Sequence, residues 1–190
     1  MSLIKEQSGR DRSIFFVNTS IPKIGTRFSL FSPFSIDEIK INFDSLYLSV
    51  SGVQFRIEIY KAYGEDYLIN PNDFVSGNYE AASSWVDDDI LVEGENTFIF
   101  AGESFLPGYY WLFIVPNTTL IDGGSNFSFA YANELSDQFI LLRYENKSGT
   151  YLPNSGLWFK IYGDISEVSP TLIYSQENSI YETSILKDES

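Results

Sequence analysis

The sequence predicts an all-β chain, an antiparallel β-sandwich of jelly-roll type with short N- and C-terminal extensions. Three observations predict it. About ten apolar or alternating runs are separated by Gly, Pro, Asn and Asp signals roughly every 8 to 12 residues. No stretch makes a convincing amphipathic helix; the nearest, Glu177 to Lys187, has helical spacing but weak helix formers. Phe, Tyr and Trp make up 17% of the chain against 20% charged residues, which suits strands around a packed core rather than disorder.

Taken in order, residues 1 to about 11 are polar and read as an arm. Ser13–Val17 is a first short strand, and Gly25–Phe31 alternates with Phe28 and Leu30 on one face. Ile36–Val50 holds two alternating runs, Ile39/Ile41/Phe43 and Leu46/Leu48/Val50, whose phase changes between them. A bulge at Asp44-Ser45 reconciles the two. Val53–Tyr60 is the cleanest half-buried strand: Val53, Phe55, Ile57 and Ile59 face one way, Gln54, Arg56, Glu58 and Tyr60 the other. The connection from Lys61 to about Ser84 is too long for an ordinary loop and is expected to contain short strands such as Tyr67–Ile69. Thr97–Phe100 follows the Gly94-Glu95-Asn96 turn. Tyr109–Val115, bracketed by Pro107 and Pro116, is apolar or aromatic on both faces and reads as the central strand, covered on both sides. Phe127–Tyr131, Phe139–Tyr144 and Leu157–Tyr162 complete the set. The division expected is an arm and first strand over 1–23, the sandwich over 24–163 and a C-terminal arm or tail over 164–190.

Composition removes several chemistries. With 12 basic and 26 acidic residues the net charge is −14, so nucleic acid and anionic membranes are not expected partners. There is no Cys and no His, hence no disulfide, no Cys- or His-ligated zinc, no thiol nucleophile and no imidazole triad. The N-terminus lacks the apolar region of a signal peptide, and no run reaches the roughly 18 apolar residues of a membrane span. A propeller would repeat at roughly 40 residues, and no such period occurs.

Several segments together resemble a β-sandwich module that recurs in phage and viral structural proteins and in bacterial surface proteins. They are Ile24-Gly25-Thr26-Arg27-Phe28-Ser29-Leu30, Ile39-Lys40-Ile41, Phe55-Arg56-Ile57-Glu58-Ile59-Tyr60, Trp85 with Phe98-Ile99-Phe100, Leu106 to Ile114, and Leu157 to Gly163. The resemblance covers about residues 24–163 and implies a carbohydrate-binding-module-like jelly roll without catalysis. Such modules are usually pieces of long chains. Here only short arms flank the module, which points to a building block of a larger assembly.

Candidate sites follow from residue chemistry. Exposed rings stack on sugars, and Tyr60, Tyr63, Tyr67, Tyr79 and Trp85 lie in or beside the long 61–84 connection; the competing reading is that they close the sandwich edge. Asp87, Asp88, Asp89, Glu93 and Glu95 form the densest carboxylate group and a possible Ca²⁺ site, against the alternative of a solvated acidic loop that matches no EF-hand spacing. Asp122-Gly123-Gly124 is a weaker candidate of the same kind. Glu58 with Arg56 is expected as an ion pair rather than a catalytic acid. Asn18, Asn117, Asn126 and Asn146 begin glycosylation sequons, whose use is left open. Thr171, Leu172, Ile173 and Tyr174 form an apolar run that can act as an assembly arm by adding a strand to a neighbour.

No catalytic residue is assigned. The leading expectation is a non-enzymatic virion structural protein, a capsid decoration, head fibre or tail component, acting through interfaces with other structural subunits as a homo-oligomer. The alternative is a carbohydrate-binding or adhesion module that recognises glycans at the cell surface or outside the cell. A hydrolase, the third reading, requires two acids facing each other across a cleft.

Overall fold

The computed structural model describes residues 1–8, 12–16, 23–47, 52–62, 79–117, 126–132, 140–145, 148–153 and 155–166. These carry fourteen strands: β1 (Ser2–Gln7), β2 (Arg12–Phe16), β3 (Lys23–Leu30), β4 (Phe34–Tyr47), β5 (Gln54–Lys61), β6 (Tyr79–Ala82), β7 (Val86–Asp87), β8 (Gly94–Phe105), β9 (Gly108–Pro116), β10 (Asn126–Ala132), β11 (Ile140–Glu145), β12 (Ser148–Pro153), β13 (Gly156–Leu157) and β14 (Phe159–Gly163). They form two seven-stranded antiparallel sheets, an open sandwich of jelly-roll-like type.

Sheet A is built on β4. One flank of β4 pairs with β8; the other pairs first with β14 over Glu38–Ile41 and then with β10 over Phe43–Tyr47. β1 closes the β14 side, while β2 and β13 pair with β10. The phase change seen in the sequence is real. Ser128 opposes Ser45 and the next residue, Phe129, opposes Phe43, so Asp44 is the extra residue of a bulge. A second irregularity lies in β8, where Ile36 opposes Glu103 but Glu38 opposes Ile99. There Gly102 takes φ +80°, a left-handed conformation that glycine tolerates, and the Ala101 amide donates to the Glu103 carboxylate at 3.0 Å.

Sheet B runs β12–β11–β3–β9–β5, with β6 and β7 both on the far edge of β5. β9 is paired along both flanks, with β3 and β5, as expected of a central strand. Its two faces enter different clusters. Tyr110, Leu112 and Ile114 join the main core between the sheets, and Trp111 and Phe113 pack with Tyr60 on the outer face. The main core is built largely from rings and Ile: Phe28 meets Phe159 across the sheets at 5.9 Å between centroids, and Phe43 meets Phe55 at 6.2 Å.

Three elements differ from the sequence expectation, and a fourth, β6, falls where a short strand was expected. Ser2–Gln7, expected as a polar arm, is an edge strand whose one buried residue is a glutamine, so alternation gave no signal. β8 extends well beyond Thr97–Phe100 because it continues through its bulge. β12 fills the stretch between two turn signals, and β6 lies inside the long 61–84 connection. Tyr67–Ile69, Tyr63, Asp122-Gly123-Gly124, Asn18, Asn146 and Thr171–Tyr174 lie outside the described residues.

Candidate functional site

The outer face of sheet B is assembled row by row from strand register. One row places Arg27, Trp111, Tyr60 and Tyr79 side by side across β3, β9, β5 and β6. The next places Gly25, Phe113, Glu58 and Ala82 side by side. Gly25 is required here. A Cβ at that position would overlap the Phe113 ring and lie 2.5 Å from the Leu112 carbonyl oxygen, so only a glycine lets the ring lie across β3. Trp111 stacks on Phe113 at 5.7 Å, and Tyr60 meets Phe113 edge-on at 5.7 Å.

A carboxylate lies among these rings. Glu58 is only 4% exposed, and its oxygens are occupied by two neighbours on its own strand. Arg56 donates from Nε at 3.0 Å and from Nη2 at 2.6 Å to one oxygen; the Tyr60 hydroxyl donates at 2.6 Å to the other. Charge-assisted bonds of this kind are what permit a buried carboxylate. Burial first, and then the Glu58 carboxylate, push the Tyr60 phenol well above its ordinary range, so it stays a proton donor. The expected Arg56–Glu58 pair is therefore present, but within one strand and buried on the carboxylate side.

At the margin of the face the rings become accessible. Trp85 is 39% exposed and Tyr79 43%, whereas Trp111 is 2% exposed. The Arg56 guanidinium lies 4.5 Å from the Trp85 ring centroid, and Tyr79 meets Tyr60 edge-on at 5.7 Å. The backbone leading to Trp85 is anchored to both sheets. Ser83 exchanges bonds with Ile57 of β5, its hydroxyl accepting the Ile57 amide at 2.9 Å, and the Ser84 amide donates to Ile99 of β8 at 2.9 Å. Trp85 thus sits at the seam between the β5 and β8 edges, with its ring braced by a fixed cation. Of the rings singled out in the sequence, Tyr79 and Trp85 are accessible, and Tyr60 is buried as their support.

The acidic candidates do not converge. Asp87 accepts from Gln54 Nε2 at 2.6 Å at the edge of sheet B. Glu95 projects over sheet A, where Lys160 Nζ approaches at 2.8 Å and Lys40 Nζ at 3.2 Å. No group of three potential ligands is found among the described residues. Of the two sequon asparagines described, Asn117 is exposed and bonded to Gln54, and Asn126 opens β10.

Sequence reasoning passed over a second array, on the outer face of sheet A. Trp158, Lys160 and Tyr162 project together from the β14 stretch, with Phe159 and Ile161 turned into the core. Lys160 lies 4.7 Å from the Trp158 ring centroid and Lys40 lies 5.2 Å from that of Tyr162. The signal was available in the alternation of Trp158-Phe159-Lys160-Ile161-Tyr162, which places two rings and a cation on one face.

No family model matches the chain, and no curated protein matches it. Solved structures do. A clostridial cysteine protease, Cwp84 after propeptide cleavage, has TM-score 0.57 and 12% identity over 87% of this chain and 40% of its own. The cysteine protease and lectin-like domains of Cwp84, a surface layer associated protein of Clostridium difficile, have TM-score 0.54 and 10% identity, over 84% of this chain and 37% of their own. The chain spans about two fifths of the length of those structures. At such identity the likeness is one of fold. That fold likeness is to a surface layer associated protein of a bacterium, and on this finding the expectation of a virion component, capsid or tail, located in a virion is corrected.

Proposed function

We propose that this chain is a non-catalytic carbohydrate-binding or adhesion module that works at a bacterial cell surface and recognises surface glycans. The observation that carries the reading is the pair of accessible rings, Trp85 and Tyr79, set against the Arg56–Glu58–Tyr60 cluster. Sugar rings present C–H faces to aromatic rings and hydroxyls to charged donors and acceptors, and this margin offers both beside one another. The cluster also holds the rings in place before a ligand arrives, which lowers the entropy lost on binding. The fold likeness to a surface layer associated protein supports the location.

The test is a glycan array followed by calorimetry on the retained sugars. Trp85→Ala is expected to weaken binding by about tenfold or more, with an unchanged melting temperature. Retention of no glycan by the folded protein would sink the reading.

A further inference from the structure

We propose that the outer face of sheet A is a second glycan-contacting surface, which takes an extended, uncharged polysaccharide strand lying across Trp158 and Tyr162. The proposal rests on the reading of the chain as a glycan-binding module and adds a separate site to it. Trp158 and Tyr162 are four positions apart, about 13 Å along a strand, on the face turned away from the core. Both are partly exposed.

Between and beside the rings lies a polar set that spans three strands. Lys160 of β14 and Lys40 of β4 are paired in register, and Glu95 of β8 reaches both. Each ammonium is also the one that lies over a ring, Lys160 over Trp158 and Lys40 over Tyr162. One carboxylate thus fixes two cations, and the cations fix two rings. Side chains already held in this way lose little freedom when a ligand lands on them.

The charge of the face selects the ligand. Two lysines are met by three carboxylates: Glu95, Glu38, 3.8 Å from Lys40, and Glu6 of β1, which is paired with Lys160 in register. A face with one more carboxylate than ammonium, on a chain of net charge −14, has no attraction for an anionic polymer. It does present ammonium donors and carboxylate acceptors beside ring faces, the combination that vicinal hydroxyls on a sugar ring satisfy. With the Trp85 margin on the other sheet, the module has two separate attachment points, and a repeated glycan surface is then held with avidity.

The experiment measures binding of immobilised chitohexaose, cellohexaose and mannan by the wild-type chain, Trp85→Ala, the double variant Trp158→Ala with Tyr162→Ala, and Lys160→Gln. Lys160→Gln keeps both rings and the fold should the double variant fail to fold. The expected result is that the double variant loses about tenfold in affinity and Lys160→Gln about threefold, while Trp85→Ala retains the sheet A component. Binding should also change little between about 50 and 500 mM salt, as for an uncharged ligand. Wild-type binding left unchanged by both the double variant and Lys160→Gln overturns the second surface and leaves the Trp85 reading standing. Failure of the wild-type chain to bind any of the three overturns the second surface, whereas the Trp85 reading falls only if the glycan array retains nothing.

Discussion

The two sheets turn very different outer faces away from a shared core. On sheet B the centre is sealed: Trp111, Phe113, Tyr60 and the Glu58 carboxylate are all buried, and access begins only at Tyr79 and Trp85 on the margin. On sheet A the centre itself is open, with Lys40, Lys160 and Glu95 each partly exposed between two rings. The difference teaches that rings on an outward face serve two ends. Where they pack on one another beside a glycine they extend the hydrophobic interior; where lysines interleave them they remain surface.

The largest expected effect separates the two tryptophans. Trp111→Ala should destabilise the fold by about 4 kcal/mol, as truncation of a buried ring does, and Trp158→Ala by about 1 kcal/mol or less. Urea unfolding of both variants checks this, and equal losses would erase the contrast between the faces. Next comes Gly25→Ala, which has to displace either the Phe113 ring or the β9 backbone; about 2–3 kcal/mol is expected, read from the same transitions.

The smallest effect concerns the open face. Lys160 first, and then Lys40, hold the Glu95 carboxyl below its usual range, and Glu95 holds both ammoniums above theirs. A depressed carboxyl stabilises the fold above its unfolded pKa and ceases to do so as pH falls through its folded value. Raised lysines stabilise below their unfolded pKa and cease to do so as pH rises through the folded one. The network is therefore intact across neutral pH and lost below about pH 4 and above about pH 10.5. Glu95→Gln should be less stable than wild type by about 0.5 kcal/mol at pH 7, with the gap closing by about pH 3. A gap that stays constant from neutral to acid would show that the carboxylate charge contributes nothing.

Legibility followed alternation. β5 and β9 were plain in the sequence, β5 because Val53/Phe55/Ile57/Ile59 follow a period of two and β9 because Tyr109–Val115 is an unbroken apolar run between two prolines. The Asp44 bulge was legible from the same period of two, as a break in phase. β1 was not, since it buries a glutamine and carries its charges among apolar residues. The candidate site was half legible. Trp85 and Tyr79 were singled out, but the pattern marks Tyr60 and Glu58 only as outward, and outward does not distinguish solvent from a second packed layer. The lysine–ring array depends on pairing between β14, β4 and β8, strands far apart in sequence, and spacing alone does not reveal which strands become neighbours.

The pairing of Ser2 with Gly163 carries a consequence for synthesis. β1 leaves the ribosome long before β14, its only partner among the described strands. At about 5–20 residues per second the segment waits of the order of ten seconds or more without its ladder, exposed to the edges of other nascent chains. Leu3 and Ile4 are its apolar residues, and Lys5 and Glu6 follow them directly. Charges in that position act as gatekeepers. The polarity that hid β1 from sequence inspection is thus what keeps it from pairing with the wrong chain before the right strand exists.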